Sequence, residues 1–162
     1  MKANSTKISD KKNTGPLSGL RILDLSRILA GPTCTQLLGD YGADIIKVEK
    51  PGSGDDTRAW GPPYAKDENN EDTAESAYYL SSNRNKRSIT LDISKKDGLK
   101  TLKSLLNHSD VLIENFKVGS LAKYGLDYET LSHEYPELIY CSITGFGQTG
   151  PNAHRPGYDL LA

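Results

Sequence analysis

Three stretches of this chain carry the residue types that could take hold of an anion. They are Ala30-Gly-Pro-Thr33, the loop Lys47-Val-Glu-Lys-Pro-Gly-Ser-Gly-Asp-Asp-Thr-Arg58, and Asn83-Arg-Asn-Lys-Arg-Ser-Ile89, which brings three cations and two amides. Gly52 and Gly54 let a backbone approach a ligand closely, and the flanking Lys50 and Arg58 can meet phosphate oxygens. Open α/β sheets bind ligands outside the carboxyl ends of their strands, and the first two stretches follow predicted strands. Together they suggest a large phosphate-bearing ligand, on which Arg27, Lys50, Arg58, Asn115 and Lys123 could converge. The competing reading is that basic runs such as Arg84, Lys86 and Arg87 are solvated surface, as they most often are.

Other candidates are weaker. Asp159 follows a Gly-containing turn, stands beside Tyr158 and precedes an apolar helix start, so its carboxylate fits a nucleophile, an acid–base group or an N-cap. His108, His133 and His154 show neither metal-ligand spacing nor a neighbouring nucleophile, and read as surface or loop residues; no metal site is expected. Gly145-Phe-Gly-Gln-Thr-Gly150 has the G-x-G-x-x-G spacing, but Pro151 and Asn152 follow where a helix should open, which disfavours a dinucleotide site.

Positioning these groups requires an alternation of strands and helices. Arg21 to Leu25 reads as a strand, and Cys34 to Leu38 as the apolar stripe of a helix beginning after Pro32 and ended by Gly39 and Gly42. Asp44 to Val48 is a buried strand, and Pro51 to Glu75 a long Gly/Pro-rich loop holding the sole tryptophan, Trp60. Ser88 to Ile93 is the next strand, followed by a helix capped by Ser94 with Leu99, Leu102, Leu105 and Leu106 at helical spacing. Asp110 to Glu114 and Glu137 to Thr144 complete the strands, with short helical segments at Gly119 to Tyr124 and Tyr128 to Tyr135 between them. Such βαβ units predict a parallel sheet covered on both faces.

The 162 residues fit one domain, and 36% hydrophobic with 25% charged content excludes a disordered or membrane-spanning chain. A net charge of −1 supplies no global field to hold nucleic acid or an anionic membrane, so any anion site is local. Cys34 and Cys141 sit in apolar contexts and read as reduced core thiols of an intracellular protein. Residues 1–15, with four lysines, one aspartate and no arginine, read as a disordered leader and a poor transit peptide. Residues 16–162 read as one partial α/β domain for a phosphate-bearing ligand. Tyr158 to Ala162 looks like the first turn of another helix, so the expectation is the amino-terminal part of a longer protein.

Six segments in order resemble the class III CoA-transferases, the CaiB/BaiF family: Arg27-Ile-Leu-Ala-Gly-Pro32, Gly42-Ala-Asp-Ile-Ile-Lys-Val-Glu49, Gly52-Ser-Gly-Asp55, Asn83-Arg-Asn-Lys-Arg87, Glu114-Asn-Phe116 and Gly145-Phe-Gly-Gln-Thr-Gly-Pro151. Asp55-Asp-Thr-Arg58, Trp60-Gly-Pro-Pro63, Tyr140-Cys-Ser-Ile-Thr144 and Arg155-Pro-Gly-Tyr-Asp159 are similar to the succinate–hydroxymethylglutarate (glutarate) CoA-transferases within that family.

The resemblance implies a Rossmann-like large domain, a second smaller domain and an interlocked homodimer. It implies transfer of CoA from an acyl-CoA to a carboxylic acid through an aspartyl-CoA thioester, with no permanently bound cofactor and the CoA thioester as substrate. Ala30, Leu91, Asn115 and Phe116 match positions lining the family's CoA site. Lys50 and Lys123 stand where some members use arginine, which keeps the charge but loses the bidentate fork. Leu29 replaces the glutamine of formyl-CoA transferases and argues against that specificity. The nucleophilic aspartate is implied beyond Ala162, leaving Asp159 a supporting role. Two alternatives stay open: a non-catalytic CoA-binding or vestigial product, and an acyl-CoA racemase, the latter disfavoured because Tyr158 replaces the histidine base. Eukaryotic members of the nearest subfamily imply a mitochondrial location, with the cytoplasm as the alternative.

Overall fold

The computed structural model describes residues 14–157. Three apolar runs seed the structure: Ile22-Leu23, Ile45-Ile46 and Val111-Leu112-Ile113 are all buried. Continuous rather than alternating apolar character marks strands covered on both faces. They fall in β1 (Arg21–Asp24), β2 (Asp44–Glu49) and β6 (Val111–Glu114), which together with β5 (Lys86–Thr90) and β7 (Ile139–Ser142) form one five-stranded sheet. Its order is β5-β2-β1-β6-β7 and every pairing is parallel, as in β1 on β6 with Leu23 opposite Leu112.

Side chains of successive strand residues point to opposite faces, and the two apolar clusters follow that parity. On one face Ile22, Ile45 and Ile113 pack with Cys34 and Leu38 of α1 (Ala30–Asp40). On the other, Leu23, Ile46 and Leu112 pack with Leu102 and Leu106 of α3 (Lys96–Leu106) and Leu131 of α4 (Tyr128–Glu134). The predicted parallel sheet with both faces covered is therefore present, and Cys34 and Cys141 are free thiols in one apolar cluster.

Several boundaries differ from the expectations. α1 starts at Ala30, two residues before Pro32, because a proline in the first turn lacks only an N–H that would have no intrahelical partner. Gly39 lies inside α1, close against the Asn85 backbone; Gly42, at φ +99°, makes the turn that follows. Ser94 does not cap α3: its N–H and hydroxyl both turn back to Asp92, and Lys95 occupies the cap position. β5 begins earlier, at Lys86, since an edge strand tolerates the charged pair Lys86-Arg87. Gly119 to Tyr124 holds only a 3-10 turn at Ala122–Tyr124.

The supposed loop from Pro51 to Glu75 is structured. Asp55 caps a 3-10 turn at Asp56–Ala59 by accepting the Thr57 N–H, and β3 (Tyr64–Lys66) pairs antiparallel with β4 (Asp72–Ser76). Ser76 then caps α2 (Ala77–Ser82) by accepting the Tyr79 N–H at 3.0 Å.

Candidate active site

In the sheet order the chain runs outward from β1 to β2 and β5, then returns to β6 on the other side, so the crossover direction reverses between β1 and β6. A crevice opens at such a point, at the carboxyl ends of the strands. A cavity of about 900 Å³ occupies it. Ile28, Leu29 and Ala30 after β1 form one wall, Asn115 to Val118 after β6 the second, and Ile143 to Phe146 after β7 the third. Trp60 and Tyr78 close one end as an edge-to-face pair with ring centroids 5.2 Å apart, and Ala153 to Gly157 close another. Among the described residues Lys117 and Arg155 are the charged ones that line the cavity, and His154 stands beside Arg155. The Arg155 guanidinium lies 5.3 Å from the centre of the Phe146 ring. α1 opens at Ala30 without a side-chain cap, so its first N–H groups add to the positive character of that wall.

The two loops at the switch point are tied together. Asn115 Oδ1 accepts the Arg27 N–H at 3.0 Å and its Nδ2 donates to the Arg27 carbonyl at 2.8 Å. The Arg27 guanidinium is drawn sideways to Asp56 at 2.7 Å.

Beneath the β1 loop lies a buried charge network. Lys47 Nζ donates to the Ser26 carbonyl at 2.8 Å and pairs with Asp55 at 2.9 Å. Asp24 accepts the Thr35 and Ser26 hydroxyls and faces Lys86 Nζ at 3.4 Å. Burial pushes the Lys86 ammonium down to about 8, with Asp24 opposing and Lys47 adding to the fall. Burial also works against ionising Asp55, yet Lys47 and the Thr57 donors hold its carboxyl below the usual range.

A second network explains Arg58. Its fork donates to both Glu49 oxygens, at 2.7 and 2.8 Å, to Glu75 and to the Tyr79 hydroxyl. The guanidinium also sits 3.7 Å from the centre of the Tyr79 ring. Burial would raise the Glu49 carboxyl, but Arg58, the Ser88 hydroxyl and the Asp55 N–H bring it down to about 2. Burial, with the Glu49 charge, pushes the Tyr79 phenol up.

These contacts correct part of the anion reading. Arg58 points inward, because its donors are taken by Glu49, Glu75 and Tyr79, and does not present itself to a phosphate. Lys86 is buried on Asp24 and the Pro32 carbonyl, while Arg84 and Arg87 pair with Asp40 and Asp44 at the surface, so of the basic run of Asn83 to Ile89 only Lys86 is taken into the fold.

Of the predicted site residues, Ala30, Asn115 and Phe116 line the cavity and Arg27 joins it through Asn115. Three others stand elsewhere. Lys50 is exposed and within electrostatic reach of Asp92; Leu91 is half-buried against the β1–α3 core with its N–H on the Glu49 carbonyl; Lys123 is exposed above the Tyr124 ring at 4.8 Å. Asp159 lies outside the described residues. The sequence reading missed Tyr78, Lys117 and Arg155 as cavity residues and took His154 for a plain loop residue. Lys117 and Arg155 had a usable signal, since each follows a strand at the carboxyl edge of the sheet. Among the described residues no cluster of His, Cys, Asp or Glu is placed to hold a metal ion, and no helix is long and apolar enough to cross a membrane.

Comparison with known proteins agrees with this geometry. The family model described as CoA-transferase family III matches residues 17–162. The chain is 56% identical over 146 residues to the succinate–glutarate CoA-transferase of Agrobacterium fabrum, covering 90% of this chain and 36% of that protein. It is 53% identical over 154 residues to the succinyl-CoA:glutarate CoA-transferase of Homo sapiens, covering 95% of this chain and 34% of that one. Among solved structures, a CaiB/BaiF family protein from Brucella suis superposes with a TM-score of 0.84 at 55% identity, over 92% of this chain and 38% of that chain. The chain thus spans little more than a third of the length of the relatives it matches.

Proposed function

The chain belongs to CoA-transferase family III, and on that premise we propose that it forms the acyl-CoA-binding part of an enzyme that moves CoA from a succinyl-CoA-like donor to a dicarboxylic acid. The observation that carries this reading is the switch-point cavity, whose described lining combines apolar walls with Lys117 and Arg155. An acyl-CoA asks for that combination: an apolar channel for the pantetheine arm and acyl chain, and cations for phosphate and carboxylate groups.

The transfer needs a carboxylate on the enzyme. That carboxylate attacks the thioester carbonyl and expels CoA thiolate, leaving a mixed anhydride. The thiolate then attacks the enzyme's side of the anhydride, which releases the first acid and leaves CoA on the enzyme as a thioester. The incoming acid repeats both steps in reverse order, so no redox change or metal is involved. The proposal assigns the attacking aspartate to residues beyond this sequence and a supporting part to Asp159. Within the described residues, Asn115 and Arg27 hold the two loops that border the thioester, and Phe116 with Ile28 to Ala30 shields it from water. An interlocked homodimer is part of the same proposal.

The test is a two-stage measurement. Calorimetric titration of this chain with CoA and succinyl-CoA reads binding, and the full-length polypeptide with succinyl-CoA and glutarate reads transfer by chromatography of the CoA esters. Saturable binding with glutaryl-CoA formation is expected. Binding without transfer would reduce the protein to a CoA-binding module, and absence of both would end the proposal.

A further inference from the structure

Ile28 stands at φ +72°. Asn70 and Asn85 are the other described non-glycine residues with positive φ, and asparagine visits this region readily; a β-branched residue does so only when its surroundings force it. The forcing groups are visible. Both Asp55 oxygens lie 3.2 Å from the Ile28 N–H. Lys47 holds the preceding peptide through the Ser26 carbonyl at 2.8 Å, and the Asp55–Lys47 pair itself is almost wholly buried, with side chains 0% and 1% exposed. Asp55 is in turn fixed by Thr57, whose N–H and hydroxyl both donate to Oδ1, and by Glu49, which accepts the Asp55 N–H at 2.8 Å.

Two reasons separate this arrangement from an ordinary buried ion pair. A charged pair could be satisfied anywhere in the core, whereas this one also engages two peptides of one loop, at the Ser26 carbonyl and the Ile28 N–H. That loop is also the cavity wall: Ile28, Leu29 and Ala30 line the cavity, and Ala30 begins α1. Released from Asp55, Ile28 would relax to negative φ and rotate the wall out of register with Asn115 across the crevice.

We propose that Asp55, braced by Lys47, is a positioning residue that holds Ile28 in its left-handed conformation and thereby sets the shape of the acyl-CoA cavity. This rests on the cavity being the acyl-CoA site, as proposed above. Asp55 touches no substrate; it acts through the Ile28 peptide.

The test uses Asp55→Asn in the full-length polypeptide, which keeps the side-chain volume and weakens the acceptor. Should that variant not fold because Lys47 is left with an unpaired buried charge, the Lys47→Met/Asp55→Asn double variant takes its place. Hydrogen exchange is followed at the amides of Ser26 to Ala30 and, for reference, at Ile22, Ile45 and Val111 in the strands. Expected are faster exchange in the loop by roughly tenfold or more, with the strand amides unchanged, and a KM for succinyl-CoA raised roughly tenfold with a smaller change in kcat. Adding Ile28→Gly, which enters the left-handed region without steric cost, should recover most of the KM. A merely structural pair would not show that rescue. Unchanged loop exchange, or loop and strand amides accelerating together, would overturn the proposal. If the parent protein bound no acyl-CoA, the functional reading would fail while the exchange measurement still decided whether Asp55 positions Ile28.

Discussion

Asn115 holds the Arg27 peptide from both sides, accepting its N–H at 3.0 Å and donating to its carbonyl at 2.8 Å. The two residues belong to loops that leave adjacent strands, so one carboxamide sets the width of the crevice at the switch point. A carboxamide accepts at its oxygen and donates from its nitrogen, which matches both halves of this contact.

Asn115→Asp keeps the acceptor and loses the donor, and Asn115→Leu loses both. Each hydrogen bond contributes about 1 kcal/mol net, so the leucine variant is expected to loosen the crevice by about 2 kcal/mol. If that cost falls on the bound state, CoA affinity drops by roughly thirtyfold for leucine and less for aspartate. Calorimetric titration of both variants checks the ranking; equal affinities for parent and leucine variant would remove Asn115 from the site.

Arg58 separates a phosphate ligand from a structural brace. Replacing it by methionine leaves Glu49 ionised and uncompensated, at a cost of about 3 kcal/mol, and lysine restores the charge without the fork. Thermal melting should fall in the order parent, lysine, methionine, while the CoA titration curves of the folded variants stay close to the parent's. A loss of affinity without a loss of stability would return Arg58 to the ligand.

These two residues also show what could be read in the chain. Ile22-Leu23 and Val111-Leu112-Ile113 announce buried parallel strands because apolar runs need no partner to be recognised, and the leucines of α3 announce a helix for the same reason. Charge is different, since its meaning depends on who stands opposite. Lys86 meets Asp24 across 62 positions of sequence and Arg87 meets Asp44 across 43, so each cation of a run that looked like a phosphate grip has a carboxylate partner that the sequence does not announce. Ile28 gave no sign at all: its unusual conformation is imposed by Asp55, 27 residues away. Asn115 stood out by type and by its place after a strand, whereas the crevice became visible only with the observed strand order.

Acid should expose Glu49. Its folded value of about 2 lies below the ordinary 4.5, so its contribution is fully present above about pH 4.5 and is lost as pH falls toward 2. The shift corresponds to at most about 3 kcal/mol. Urea midpoints measured from pH 7 to pH 2 should decline most steeply in that window, and Glu49→Gln should be less stable at neutral pH with a shallower acid decline. An unchanged slope in the glutamine variant would place the acid sensitivity on other carboxylates.

Gly145 gives the Gly-rich stretch after β7 a reason other than nucleotide binding. A Cβ on Gly145 would sit 2.4 Å from Gly157 Cα and 2.6 Å from its nitrogen, and a Cβ on Gly157 would come within 2.5 Å of Gly145 Cα. Two backbones cross here with no room for a side chain, and the crossing closes the loop that carries Phe146, His154 and Arg155 to the cavity. Because the obstructing atoms are main chain, they cannot swing aside; Gly145→Ala must part the two segments. The sheet lies outside this crossing, so its stability should fall by no more than the 1–3 kcal/mol typical of overpacking. The cavity should suffer more, with Arg155 displaced, CoA affinity reduced roughly tenfold and protease cleavage appearing between Phe146 and Pro156. Titration and limited proteolysis of the same variant read both effects, and an intact loop with parental affinity would show that the crossing does not shape the site.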